Sequence, residues 1–162
     1  MKAVGAAALL GCLLAGCAWR IEAPVALGET LRLQVVANQG RLPRAGALLQ
    51  SALAETLPSL TGWRLRPDGQ ARLDLSIDKD RIRASADDSR GVPVRWTIEL
   101  HGSALLVSRH GTRTFRFSGT GYASGRDHEA VAVSAAAAAA ADSIARWLAR
   151  VDLTQPSSDQ AP

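Results

Sequence analysis

Residues 71–77, ARLDLSI, carry the most regular pattern in the 162-residue chain. Its apolar positions are Leu73, Leu75 and Ile77, and polar residues stand between them. This alternation predicts a strand with one buried face. Because Ile82 falls on the opposite parity, the pattern changes phase between Asp78 and Asp80, and we expect a β-bulge there. The rest of the fold is predicted outward from this strand.

The residues that follow predict two successive antiparallel hairpins. Residues 94–107 alternate again, beginning with Val94, Trp96, Ile98 and Leu100. His110 and Gly111 form a tight turn, after which residues 112–122 return with Phe115 and Phe117 on one face. The glycines of residues 118–121, SGTG, are interpreted as a bend at the end of that strand.

The residues before this strand predict a strand and a helix. Residues 30–37, TLRLQVVA, alternate as a first strand. Pro43 is placed as the first helical residue, and Pro58 and Gly62 are expected to bound the helix. Its apolar positions recur at helical spacing, at Ala45, Leu48, Leu49, Ala52, Leu53 and Leu57. Strand, helix and next strand form a crossover unit, with a short extended piece at residues 63–66.

A second helix is predicted from about His128 to Val151, with Asp127 as its cap. It contains the alanine tract 135–141, which ends at Asp142 and is too short to span a membrane. The small side chains predict close packing on the sheet rather than against a partner.

The predicted fold class is therefore α+β, a two-layer sandwich. A mixed, largely antiparallel four-stranded sheet has two helices packed on one face, with one short extra strand. Residues 29–153 form a single domain, and the polar tail 154–162 is expected to be disordered.

The first sixteen residues have the form of a secretory signal. Lys2 supplies a positive start, and an apolar run follows from Ala3 to Ala15. This run is shorter than the ~20 residues that a membrane-spanning helix needs. We therefore expect residues 1–16 to be a cleaved signal peptide.

Leu14-Ala15-Gly16-Cys17 resembles the lipobox of bacterial lipoproteins. The resemblance implies a diacylglyceryl group on the thiol of Cys17, cleavage before it, and a tether over residues 17–28. Two or three acyl chains make such an anchor effectively permanent. Ala18, rather than Asp, follows the cysteine, which by the family rule implies the periplasmic face of the outer membrane. The alternatives are lipidation at Cys12 and a secreted protein with one free thiol.

The composition offers little support for catalysis or for nucleic-acid binding. The net charge of +4 is modest, and almost all of the positively charged side chains are arginines. The three histidines, His101, His110 and His128, have no cysteine or carboxylate at metal-ligand spacing. The acidic residues Asp78, Asp80, Asp87 and Asp88 alternate with basic residues, as on a solvated hairpin. We predict a protein that is not an enzyme, with no metal or cofactor apart from the covalent lipid.

Beyond the lipobox, the domain resembles the lipopolysaccharide-assembly lipoproteins, the LptE family. The segments that carry the resemblance are residues 46–57, 71–77, 81–86, 94–107 and 144–149. Members commonly have glycine and an aromatic residue after the cysteine, whereas this chain has Ala18 and Trp19.

The resemblance implies a plug inside an LptD-like outer-membrane β-barrel, which helps the barrel assemble and contacts lipopolysaccharide. Guanidinium groups bind phosphate through paired hydrogen bonds. The candidate lipopolysaccharide contacts are Arg81, Arg83, Arg90, Arg109 and Arg113, all near hairpin ends, with solvated surface charge as the alternative for each. Two other functions remain open, an accessory lipoprotein of an MCE-type phospholipid transport system and an envelope-bound enzyme without a recognisable motif.

Overall fold

A computed structural model describes residues 30–87, 93–125 and 128–151 of the chain. Its elements are β1 (Thr30–Asn38), α1 (Ala45–Thr61), β2 (Arg64–Leu65), β3 (Ala71–Asp87), β4 (Pro93–Ser108), β5 (Gly111–Ser124) and α2 (Glu129–Arg150). The predicted signal peptide, Cys17, the tether, Asp127 and the tail from residue 154 lie outside the described residues.

The strands form one sheet in the order β2-β1-β3-β4-β5. β1 is parallel to both β2 and β3, whereas β3, β4 and β5 are joined as antiparallel hairpins. The parallel pair encloses α1, which confirms the predicted crossover unit. The fold is α+β with both helices on one face of the sheet, as predicted.

The sheet has five strands, so the predicted number of four is wrong. The fifth is β2, in which Arg64 and Leu65 pair with the first two residues of β1. The adjacent backbone N–H of Arg66 also donates to the carbonyl oxygen of Leu31, at 3.0 Å. It lies within the short extended piece predicted at residues 63–66, and its pairing with β1 makes it a strand of the same sheet.

The predicted bulge in β3 is confirmed. The pairing of β3 with β4 shifts between Ile77 and Lys79. Asp78 is the extra residue, and beyond it Asp80 pairs with Leu100. The bulge therefore reverses which parity of β3 faces the helices.

Helix α1 differs from the prediction at both ends. Pro43 precedes the helix, and Pro58 lies inside it rather than at its end. The helix continues past Pro58 because Leu57 and Thr61 both point into the core. Gly62 then ends the helix in the left-handed conformation, with φ 73°, as expected of a C-terminal glycine.

Helix α2 packs directly on β5, which confirms the predicted close packing of the alanine tract. Gly119 and Gly121 are interior residues of β5, so their interpretation as a bend is wrong. A Cβ atom at Gly119 would lie 2.5 Å from the backbone nitrogen of Ala140. The glycines therefore admit the helix backbone against the strand.

The core lies between the sheet and the two helices. β3 and β4 contribute the centre of the apolar layer, with Leu73, Leu75, Ile77, Ile98, Leu100, Ala104 and Leu106 all buried. α2 is long and apolar enough by composition to cross a membrane, but half of its most apolar stretch is buried within the domain.

Candidate binding face

The face of the sheet turned away from the helices, here called the open face, is mainly polar. The strand register places on it the residues whose neighbours along each strand point into the core. Its charged members are Arg32, Arg72, Asp74, Lys79, Arg81, Arg83, Arg95, Glu99, His101 and Arg116. None of the described helices covers this face, so its side chains are presented to solvent or to a partner.

Three adjacent rows across β3, β4 and β5 define the centre of the open face. Lys79 pairs with His101, Arg81 with Glu99, and Arg83 with Thr97. On β5 the rows continue through Ser118, Thr120 and Tyr122. The cations of β3 thus lie next to hydroxyl groups and one carboxylate. The tyrosine ring at the end of the third row is 71% exposed.

The carboxylate of Asp74 is the most buried charge of the open face. Its Oδ1 atom accepts a hydrogen bond from Nε2 of Gln34 at 2.7 Å, and its Oδ2 atom forms an ion pair with Nε of Arg72 at 2.9 Å. The contact with Gln34 joins β1 to β3 across the parallel pairing, whereas Arg72 lies on β3 itself. Since both carboxylate oxygens are occupied, this cluster is better suited to holding the two strands than to binding a ligand.

The carboxylate of Glu99 lies between two weaker partners. Arg83 and His101 each approach it at 3.8 Å. Pairs of exposed charges at such distances contribute little to stability. Arg81, its direct neighbour on β3, has no ion pair among the described residues. Arg81 can therefore meet an external anion without breaking an internal contact.

The five predicted arginines do not form one site. Arg81 and Arg83 lie together on the open face, and Arg90 is outside the described residues. Arg109 lies in the turn between β4 and β5. Arg113 pairs with the buried Leu106, on the side of the sheet that faces the helices.

These arginines are also far apart along the sheet. Arg83 is level with residue 97 of β4, whereas Arg113 is level with residue 106. Nine residues of strand correspond to about 30 Å. A single phosphate group cannot contact both ends, so Arg81 and Arg83 remain together as the candidate anion contacts.

Lys79 and Arg116 belong to the same face and were not predicted as contacts. Both are exposed, and neither has an ion pair among the described residues. Alternation along β5 indicated that Arg116 points away from Phe115 and Phe117. Only the register shows that it shares a face with Lys79 and Arg81.

The described residues contain no group of three histidine, cysteine, aspartate or glutamate side chains that could hold a metal ion. Among them, His101 contacts Glu99, and Nε2 of His110 accepts a hydrogen bond from Nε of Arg109 at 2.9 Å. The open face offers hydrogen-bond donors and positive charge. Its arrangement suits recognition of an anionic, hydroxyl-rich surface.

No family model and no curated protein matches the chain. Several solved structures resemble it in chain trace. A rare lipoprotein B from Shewanella oneidensis is 13% identical over 74% of this chain and 93% of that chain, with a TM-score of 0.49. A PelC dodecamer from Paraburkholderia phytofirmans is 16% identical over 78% and 91%, with a TM-score of 0.49. A lipoprotein from Caulobacter crescentus is 22% identical over 72% and 87%, with a TM-score of 0.44. None of them assigns a function to this chain.

Proposed function

We propose that the chain is a lipid-anchored, non-enzymatic partner of a lipopolysaccharide-translocating, LptD-like β-barrel of the outer membrane. In this role it fills the barrel lumen from the periplasmic side, assists assembly of the barrel, and contacts lipopolysaccharide during its insertion. The observation that carries the proposal is the uncovered, polar open face in a chain whose first residues resemble a lipoprotein precursor.

The polarity of the open face supports a barrel lumen as its environment. The inner surface of a transmembrane β-barrel is polar, whereas its outer surface is apolar. A face dominated by arginine, threonine and serine side chains is compatible with the first and not with the second. Tyr122 offers an aromatic contact of the kind that often dominates protein–protein binding energy.

Basic side chains on the open face support contact with lipopolysaccharide, whose lipid A and core carry phosphates. Lys79, Arg81 and Arg116 have no ion pair among the described residues, and Arg83 has only a weak one. Arginine binds phosphate in a fork of two hydrogen bonds. The surrounding threonine and serine hydroxyl groups can bind sugar hydroxyls at the same time.

The barrel partnership is tested by purifying the tagged full-length chain from detergent-solubilised outer membrane. We expect a large β-barrel to co-purify with it. Tyr122→Ala should reduce recovery of the barrel, because Tyr122 is exposed on the open face. Val131→Ala is the matched control, since Val131 is 55% exposed on α2 in the opposite layer.

Absence of any β-barrel would overturn the proposed function. Equal recovery with both variants would show that the open face is not the contact surface. Recovery of an inner-membrane permease instead would favour the phospholipid-transport alternative.

The anchor is tested by labelling growing cells with radioactive palmitate. The full-length chain should incorporate the label, and Cys17→Ser should abolish incorporation. Cys12→Ser is the matched control and should be labelled like the original chain. Loss of label with Cys12→Ser alone would move the lipidation site to that residue.

A further inference from the structure

One end of the sheet lies where the predicted membrane tether joins the domain, and it is here called the tether end. β1 begins there at Thr30, and only residues 18–29 separate Thr30 from Cys17. Fully extended, these residues reach at most about 40 Å. The membrane that holds the acyl chains proposed on Cys17 therefore stays within that distance of the tether end.

Strand pairing brings all five strands together at the tether end. Arg64 of β2 pairs with Thr30, and the first residue of β3 pairs with Leu31. Val107, one residue before the end of β4, pairs with Arg72 near the start of β3. The turn between β4 and β5 therefore lies at the same level as the start of β1.

The tether end carries more positive than negative charge. Its exposed arginines are Arg32, Arg64, Arg66, Arg72 and Arg109. The acidic side chains near it, among the described residues, are Asp68 and Asp74, and each is already paired with an arginine, at 3.4 Å and 2.9 Å. Arg32 and Arg64 have no ion pair within the described part of the chain. The tether end therefore has cations left for an external anion.

Two of these arginines lie directly beside each other. Arg32 of β1 pairs with Arg72 of β3, on strands that are about 4.8 Å apart. Like charges placed opposite each other destabilise a sheet. Asp74 neutralises Arg72 in part, but it leaves Arg32 without a counter-charge. An anion bound beside Arg32 would remove this cost.

The anion that matches this surface is a phospholipid head group. Guanidinium groups bind phosphate through two hydrogen bonds, and basic side chains close to an anionic bilayer are attracted to it. The tether keeps the bilayer within about 40 Å, which gives its head groups a high effective concentration at the tether end. A soluble anion has no such advantage. Acyl chains together with a basic surface also form the two-part membrane signal of other anchored proteins.

We propose that the tether end docks on anionic phospholipid head groups of the membrane that holds Cys17. In this state the domain stands on the tether end, and the strands run away from the bilayer surface. The inference rests on the anchor proposed at Cys17 and not on the barrel partnership. It describes the anchored chain before it meets a partner.

The test uses the lipidated mature chain in nanodiscs, with a fluorophore on an introduced cysteine. The two native cysteines are Cys12, in the predicted signal peptide, and Cys17, so the lipidated chain has no other thiol. Gln70→Cys puts the label at the tether end, because the N–H of Gln70 donates to Oγ1 of Thr30 at 3.1 Å. Gln39→Cys is the matched control, nine residues or about 30 Å further along β1. Both positions are exposed.

The measurement compares nanodiscs of phosphatidylcholine with nanodiscs that also contain phosphatidylglycerol. Both contain a lipid with a nitroxide on its head group, which quenches the fluorophore on contact. Quenching of the label at position 70 should be at least about twofold greater with phosphatidylglycerol, and the label at position 39 should not respond. Raising the salt concentration from 0.1 M to 1 M should remove the difference, because the screening length falls from about 10 Å to about 3 Å.

Two charge-reversal variants test the arginines. Arg64→Glu combined with Arg109→Glu should abolish the additional quenching. Arg41→Glu combined with Arg44→Glu is the matched control, since it changes the net charge equally at exposed positions near the opposite end of β1. This control should keep the additional quenching. Folding of each variant is checked by circular dichroism.

Equal quenching at position 70 in both kinds of nanodisc would overturn the proposal. An equal response of the two labels, or equal loss in both charge-reversal variants, would also overturn it. A chain that does not co-elute with nanodiscs would refute the anchor, and this inference with it. Co-elution without lipid-dependent quenching would refute only the docking. None of these outcomes bears on the barrel partnership, which is tested at Tyr122.

Discussion

Gly119 of β5 and Ala140 of α2 are so close that a Cβ atom at Gly119 would lie 2.8 Å from the Cβ atom of Ala140. Side chains essentially never approach this closely without displacing their neighbours. The contact pairs the smallest residue of the strand with the smallest chiral residue of the helix. It lets the helix backbone rest on the strand, and α2 cannot approach in the same way over a larger residue.

Gly119→Ala is therefore expected to destabilise the domain. The added methyl group forces α2 away from β5, and overpacking of this kind costs about 1–3 kcal/mol. Urea denaturation followed by circular dichroism measures the change in the free energy of unfolding. Ser118→Ala is the control, because Ser118 is exposed on the opposite face of the same strand. Equal stability of the two variants would contradict the close packing.

The loop between β1 and α1 depends on one carboxylate of β3. Oδ2 of Asp80 accepts the backbone N–H of Leu42 at 2.7 Å, just before the helix begins. Asp80→Ala leaves this N–H without a partner, which should lower the free energy of unfolding by about 1–3 kcal/mol. Asp80→Asn keeps an oxygen acceptor and should cost less.

The control for Asp80 is Asp78→Ala in the bulge. Asp78 is exposed, and among the described residues it accepts a hydrogen bond only from the hydroxyl group of Ser76, at 3.0 Å. Its removal should change the free energy of unfolding by less than about 0.5 kcal/mol. A larger effect at Asp78 than at Asp80 in urea denaturation would refute the role of Asp80 in holding the loop.

Some of these features were predictable from the sequence and others were not. Apolar residues alternate around Leu73 and recur at helical spacing around Leu49, and these two patterns located the strands and helices in the sequence. Each pattern depends only on which neighbouring residues are buried. The bulge followed from the parity of Ile82. In contrast, residues 63–66 indicated a short extended piece but not its parallel pairing with β1. Pro58 indicated a helix end, whereas the helix continues to Thr61, which is buried.

The candidate site was less predictable than the fold, because sheet register decides which residues share a face. Arg81 and Arg113 both lie near hairpin ends in sequence, yet they occupy opposite faces of the sheet, and one is level with Glu99 of β4 whereas the other is level with Leu106. Among the described residues, the indole N–H of Trp96 is buried without a hydrogen-bond partner, and this could not be predicted either. An alternating strand predicts that the ring is buried but does not show whether its N–H finds an acceptor.

The end of α2 is held by a pair of stacked rings. Phe115 and Trp147 lie with their centroids 5.2 Å apart and their planes 9° from parallel. Such pairs contribute about 0.5–1.5 kcal/mol beyond their buried area. We expect a coupling free energy of that size from a double-mutant cycle with Phe115→Leu and Trp147→Leu, measured by urea denaturation. Additive effects of the two substitutions would show that the stacking itself contributes nothing.

Substitutions on the open face test lipopolysaccharide binding most directly. Arg81→Glu combined with Arg83→Glu places two carboxylates beside Glu99. This double variant should bind purified lipopolysaccharide at least about tenfold more weakly than the original full-length chain does, because repulsion replaces two charge-assisted contacts. Surface plasmon resonance with the chain in nanodiscs measures the change. The matched control is Arg44→Glu combined with Arg150→Glu. It alters the net charge equally at exposed positions in the helix layer, just before α1 and at the end of α2, and it should leave most of the affinity intact. If both double variants lose affinity equally, binding follows net charge alone and the open face is not its site; unchanged binding in the first would remove Arg81 and Arg83 as contacts.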